Sequence, residues 1–126
     1  MDSQDKRKTL PLLKTFSFAF TGIVTALRTE RNMRFHFFSS IIVVIASLYF
    51  SITKTEWLFI LLAIGGMFAL ELTNSAIERV VDLVTGEYHP LAKQAKDLAA
   101  GAVLVYAVLS VIIGIIIFLP YVQKLL

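Results

Sequence analysis

The chain contains no cysteine, which excludes disulfides, thiolate metal sites and cysteine nucleophiles at once. Charge is scarce as well. Asp, Glu, Lys and Arg make up only 17% of the 126 residues, against 57% for the broad apolar set. A soluble domain of this size needs more charge than that on its surface. No G-x-x-x-x-G-K-S/T run occurs, so a soluble-type nucleotide cradle is absent. Internal repeats and low-complexity segments are missing too. With a mean hydropathy of +0.77, what remains is a lipid-embedded, all-α protein. The length sets a single domain, residues 1–126.

The opening residues, MDSQDKRK, are not followed by an apolar run with a small-residue cleavage site. No cleaved signal peptide is expected, and the mature chain is expected to start near Met1. Residues 12–28 place Leu13, Phe16, Phe20, Ile23, Val24 and Leu27 on one stripe, with Lys14, Thr21, Thr25 and Arg28 largely off it. That spacing predicts an amphipathic helix in the membrane interface, its basic border facing anionic headgroups. The alternative is an ordinary core-facing helix.

Three apolar stretches follow, at residues 35–52, 57–84 and 98–119. The first gives about 27 Å of helix against a hydrocarbon core of ~30 Å. TKTE links it to the second. GEYHP and the polar patch LAKQAKD link the second to the third, which carries no charge along its whole length and which Pro120 is expected to close. Lys6, Arg7, Lys8, Lys14, Arg28, Arg31 and Arg34 precede the first stretch. Arg79, Lys93 and Lys96 surround the second link, whereas the first link and the tail offer only Lys54 and Lys124. By the positive-inside rule the N-terminus and the second link are cytoplasmic and the C-terminus is outside. Trp57 and Tyr121 then mark the outer interface.

The second stretch does not stay apolar. WLFILLAIGGMFAL runs on into ELTNSAIERVVD, residues 71–82. On a helical projection Glu71, Asn74, Ser75, Glu78 and Asp82 all fall within an arc of about 100°. One helix face therefore carries all five. Charges within a membrane helix normally face a bundle interior or a water-filled cavity. Measured from Trp57, Glu71 lies ~21 Å down, in the inner leaflet, and Glu78 ~31 Å down, at the interface. A lipid hydroxyl can reach the first, and soluble metal and nucleotide the second. Glu and Asn oxygens are hard ligands suited to Mg²⁺ carrying phosphate, and Glu71 could serve as a general base. Lys93, Lys96 and Asp97 stand at the same level in the third stretch, as does Glu30, flanked by Arg28, Arg31 and Arg34.

Each residue also has a plainer reading. Glu78, Asp82 and Arg79 suit an ordinary interface, and Lys93 and Lys96 suit topology or lipid phosphate. His89, in EYHP, suits a turn, and His36 simply meets the interface. Gly65, Gly66, Ala95, Ala99 and Ala102 read as close helix packing. Glu71 is different, because a carboxylate within hydrocarbon is a functional residue by default. The remaining alternative is a non-enzymatic conducting oligomer. Its polar stripe should cross the whole bilayer, yet Leu70, Met67, Ile64, Leu61 and Ile60 are apolar.

ELTNSAIERVVD followed by EYHPLAKQAKDLAAGAV resembles the small bacterial membrane lipid kinases, the prokaryotic diacylglycerol kinase and undecaprenol kinase family. The resemblance covers nearly the whole chain. It implies a homotrimer of three-span subunits in the bacterial inner membrane, with active sites shared between neighbours. It implies Glu71 as base, Asn74 and Glu78 shaping the site, Glu30 and Glu78 on Mg²⁺, and Lys96 and Asp97 on ATP. Ser75, Asp82, Lys93, His89 and Arg34 support that site. HPLAKQAKDLAAGAV looks like the Gram-positive, undecaprenol kinase branch, because the diacylglycerol branch tends to have Gly-Ser-Ala after its Lys-Asp pair. His36 stands where that other branch tends to have a second acidic residue. The expected reaction is ATP- and Mg²⁺-dependent phosphorylation of undecaprenol, with diacylglycerol as the alternative lipid. The expected partners are a membrane lipid alcohol, ATP and further copies of the chain, not nucleic acid.

Overall fold

The computed structural model describes residues 11–126 as four helices, with no strand among the described residues. They are α1 (Leu12–Thr29), α2 (Arg31–Tyr49), α3 (Lys54–Val84) and α4 (Pro90–Leu125). The last three are long and apolar enough to cross a membrane, so the chain is an integral membrane protein with an additional N-terminal helix. The expectations that rest on Lys6, Arg7, Lys8 and a start near Met1 lie outside the described residues.

α1 turns Leu12, Leu13, Phe16 and Phe20 outward and buries only Ala26. A soluble protein would not leave such a stripe in water, whereas a bilayer interface covers it. Glu30 then breaks the helix with an extended backbone (φ −105°, ψ 119°). Its N–H still closes α1 on the Ala26 carbonyl at 2.8 Å, and its carbonyl accepts from Arg34 N at 3.3 Å to open α2. One residue therefore separates two helices.

α2 begins four residues before the apolar stretch and stops at Tyr49, three residues before that stretch ends. It stops because Ser51 takes a left-handed backbone, φ 51°. Ser51 N–H donates to the Leu48 carbonyl and Ile52 N–H to the Ser47 carbonyl, both at 3.2 Å. This is the paired bonding of a Schellman turn. It sends Ile52 into a buried cluster with Ile60 and Ile117, against which Phe50, Trp57 and Tyr121 pack.

TKTE is the start of α3 and not only a link. Thr53 Oγ1 accepts from Glu56 N at 3.2 Å, and Thr53 N donates to Glu56 Oε1 at 2.9 Å, a complete capping box. LAKQAKD likewise forms the first turns of α4. His89 caps it, Nδ1 accepting from Leu91 N at 3.1 Å, and Pro90 follows as the first helical residue. Pro120 does not close α4, which runs through it to Leu125. The proline removes only one ladder bond near the end. The turn beyond it is tied down by Tyr121, whose hydroxyl donates to Glu56 Oε1 at 2.5 Å and whose ring stacks on Phe50.

α3 and α4 form the most extensive interhelical contact. Tyr106 centres it, donating its hydroxyl to the Leu62 carbonyl at 2.6 Å. The ring fills the space a Cβ on Gly66 would occupy, whereas Gly65 faces open space. Within this one chain, Gly66 is the member of the pair that close packing uses.

Two substitutions test these points by thermal midpoint in detergent. Ser51→Gly removes the cost of a left-handed non-glycine residue and is expected to stabilise by about 0.5–1 kcal/mol. Gly66→Ala forces Tyr106 out of its seat and is expected to destabilise by about 1–3 kcal/mol.

Candidate functional site

At the opposite end of α3 from Trp57, the polar stripe turns into the molecule. Glu71 and Ser75 are each 2% exposed and Asn74 7%. Glu71 Oε2, Asn74 Oδ1 and Ser75 Oγ have no hydrogen-bond partner. Buried polar atoms are nearly always paired, because leaving one unpaired costs about 1–3 kcal/mol. Three on one helix face are therefore a place prepared for polar chemistry.

α2 lies over Glu71. His36 Nε2 is 3.9 Å from Glu71 Oε2, and Asn32 is beside it as well. Glu78 and Glu30 are close enough to act on Glu71 electrostatically, so three carboxylates from α3 and the α1–α2 corner share one region. Glu78 Oε1 accepts a long bond from Asn74 Nδ2 at 3.5 Å. Arg79 crosses from α3 to the corner. Its Nη2 sits 3.3 Å from Glu30 Oε1 and donates to Thr29 Oγ1 at 3.0 Å. The broken backbone at Glu30 aims that carboxylate at α3. Arg34 points the other way, Nη1 donating to the Arg28 carbonyl at 2.8 Å. It closes the carbonyl end of α1 and takes no part in the carboxylate group.

The residues of α4 divide. Lys96 Nζ donates to Asp82 Oδ1 at 2.7 Å and is within electrostatic reach of Glu78, so it joins the α3 stripe. Asp97 is one residue on and therefore about 100° round the helix. It pairs with Lys93 at 2.6 Å on the same helix and borders a separate groove with Gln94, Leu98 and Gly101. One chain thus brings Glu30, Glu71, Asn74, Ser75, Glu78, Asp82 and Lys96 toward one another, leaves Lys93 and Asp97 on another face, and uses His89 as a cap.

Two grooves flank the stripe. One of about 560 Å³ lies between α1 and α3, lined by Gly22, Ile23, Ala26, Leu72, Ser75 and Arg79. The other, of about 370 Å³, runs between α2, α3 and α4 from His36 past Val43, Ala63 and Met67 to Phe118. Each is an apolar trough with a polar end, a form that suits a chain-bearing alcohol.

The chemistry of these donors is of the kind a hard cation takes, with Glu30 also paired to Arg79. Glu30, Glu78 and the unpartnered Asn74 Oδ1 are hard oxygens, whereas the described residues hold no group of three or more Asp, Glu or His able to cage an ion. A sparse oxygen set of this kind suits Mg²⁺, which keeps water and phosphate in its remaining positions.

Periodicity alone did not connect His36 to Glu71, because they lie on different helices. Arg79 was more accessible to sequence reasoning. It falls about 80° from Glu71, next to Ser75, at the margin of the stripe.

The sequence profile of the prokaryotic diacylglycerol kinase family matches residues 17–118. Among relatives, undecaprenol kinase of Bacillus subtilis (strain 168) is 53% identical over 121 residues, covering 95% of this chain and 98% of that protein. A diacylglycerol kinase of Synechocystis is 42% identical over 110 residues, covering 86% of this chain and 63% of its own length. That of Escherichia coli (strain K12) is 27% identical over 101 residues, covering 80% and 83%.

Replacing a buried carboxylate that has one unpaired oxygen by an amide of equal shape removes a charge that the fold holds at a cost. Glu71→Gln is therefore expected to raise the thermal midpoint of the detergent-solubilised protein, read by loss of helical circular dichroism on heating.

Proposed function

The chain belongs to the prokaryotic diacylglycerol kinase family, a family of lipid kinases, and on that premise we propose that it phosphorylates undecaprenol with ATP and Mg²⁺. The observation that carries the reading is Glu71: a carboxylate enclosed in a spanning helix, with an unpartnered oxygen, beside a trough that suits an apolar chain. The relative covering nearly the whole chain at 53% identity is named undecaprenol kinase, which favours that lipid over diacylglycerol. A conducting assembly is disfavoured by the buried Ile60, Ala63 and Met67 beyond Glu71 on α3.

The chemistry follows from the placement of the residues. The lipid chain lies in an apolar groove and its primary hydroxyl meets Glu71, which takes the proton as oxygen attacks the γ-phosphorus. Ser75 donates its unpaired Oγ–H to the hydroxyl oxygen, and Asn74 shapes the site beside it. Glu30 and Glu78 would hold Mg²⁺, which would supply charge neutralisation to the phosphates. Arg79 keeps the Glu30 carboxylate turned to α3. Lys96 balances charge developing on the transferred group, and Asp97 with Lys93 binds the nucleotide.

Because Asp97 and Lys93 lie on a face of α4 away from Glu71, a complete site draws them from a neighbouring copy. This supports self-association with shared sites, and the trimeric order is what the family resemblance implies. The basic residues around α1 and around the second link support an N-terminus and active site in the cytoplasm and a C-terminus outside, in the inner membrane of a bacterium.

Transfer of radiolabelled phosphate from ATP to undecaprenol and, separately, to diacylglycerol tests the proposal in detergent. Undecaprenol is expected to be the better acceptor, with Glu71→Gln lowering turnover by at least about 100-fold. Glu78→Gln is expected to raise the Mg²⁺ concentration needed for half-maximal rate. A preference for diacylglycerol would overturn the lipid assignment, and transfer by Glu71→Gln at the wild-type rate would remove Glu71 as base.

A further inference from the structure

Glu71 can collect a proton but has few ways to lose it. Its side chain is 2% exposed and Oε2 has no hydrogen bond. Each turnover nevertheless requires that the carboxylate be restored. Every group facing it must be weighed as an acceptor. From α3, Glu78 is the neighbouring carboxylate, and it is engaged by Asn74. From the α1–α2 corner, Glu30 is held by Arg79, and the Asn32 amide does not titrate. Arg34, on α2, is bonded to the Arg28 and Leu27 carbonyls. α4 brings Ala107, Ser110, Val111, Gly114 and Phe118 to the same groove, none of them an acid or base that titrates near neutrality. His36 is left.

We infer that His36 is the residue through which Glu71 releases the hydroxyl proton, and hence a positioning residue that acts through the base. The inference rests on the lipid kinase reading above. Three observations carry it. Nε2 is 3.9 Å from Oε2, slightly beyond a hydrogen bond, and such contacts tighten when substrate is bound. The His36 side chain is 18% exposed against 2% for Glu71, so the ring, unlike the carboxylate, has an exposed edge from which a proton can leave. Its ring is set edge-on to Phe35, with centroids 5.6 Å apart, and its backbone carbonyl accepts from Ser40 Oγ at 2.6 Å. Histidine is also the side chain able to gain and lose a proton near neutral pH.

The step balances. The lipid oxygen forms a bond to the γ-phosphorus as the bond from phosphorus to the bridging oxygen breaks, and ADP leaves with that electron pair. The hydroxyl proton passes to Glu71, then to His36 Nε2, and from the imidazolium to water. Glu71 returns to its anionic form and His36 to neutral imidazole.

The test compares wild type, His36→Gln and His36→Ala as the full chain in detergent, with undecaprenol and ATP. Expected is a kcat lower by about 100-fold in both variants, at the low end of what positioned acid–base groups contribute, with KM for ATP unchanged. Wild-type kcat should fall on acidification through neutral pH, where imidazolium can no longer accept, and the variants should lose that fall. Added imidazole should restore His36→Ala but not Glu71→Gln. Independently of turnover, ring-nitrogen NMR should show the His36 Nε2 resonance moving in Glu71→Gln. Wild-type kcat in His36→Gln would overturn the inference and leave the kinase reading standing. So would a loss with no change of pH profile and no imidazole rescue, which marks a structural residue. If wild type itself transfers no phosphate to lipid, the kinase reading fails and this inference falls with it.

Discussion

Keeping an ionisable group inside a membrane helix is the constraint on which the rest of this structure depends. Glu71 cannot be hydrated where it stands, so its surroundings must come from the protein. That requirement explains why Asn74, Ser75 and Glu78 follow it on one face of α3, and why α2 lies across it with Asn32 and His36. It also explains the break at Glu30. A continuous helix from α1 into α2 would carry the chain away from α3. One extended residue lets α1 turn aside and leaves a carboxylate aimed at Arg79. Arg34 then closes the carbonyls that the break exposes.

The remainder of the fold concentrates its fixed contacts away from that region. Around the Trp57 end are the Schellman turn at Ser51, the capping box at Thr53, the Ile52, Ile60 and Ile117 cluster, and the bond from Tyr121 to Glu56. Midway, Tyr106 seats against Gly66. Near Glu71 the links are long or polar: Asn74 to Glu78 at 3.5 Å and His36 to Glu71 at 3.9 Å. A rigid end and a polar, loosely bonded end suit a site that must admit a lipid from one side and a nucleotide from the other. Regions with few fixed contacts are also where proteins open most readily.

Much of this could be read from the residues, and the reasons are physical. Apolar runs of about 20 residues have one solution in lipid, so three spans followed from length and composition. The stripe from Glu71 to Asp82 was legible because one helix face is a matter of angle alone. What escaped were features that depend on local backbone or on two helices at once. Thr53–Glu56 looked like a link because a capping box and a polar loop share their residues. Pro120 looked like a stop because propensity does not register Tyr121 tying the next turn down. His36 looked like an interface residue because only the α2–α3 crossing brings it to Glu71.

The same geometry sets a limit on what one chain can complete. Lys96 and Asp97 are adjacent in sequence, yet they are about 100° apart on α4. Lys96 reaches Asp82 on α3, while Asp97 turns to Lys93 beside a different groove. Within one chain the two side chains therefore face different partners. If both serve one nucleotide, either the Asp82 pair opens or a second copy supplies the other face. The first course strips Lys96 of its partner and gains nothing for Asp97. The second places the Asp97 face of one chain against the Glu71 end of another. Self-association would then follow from the angle between two consecutive residues and the depth of one carboxylate.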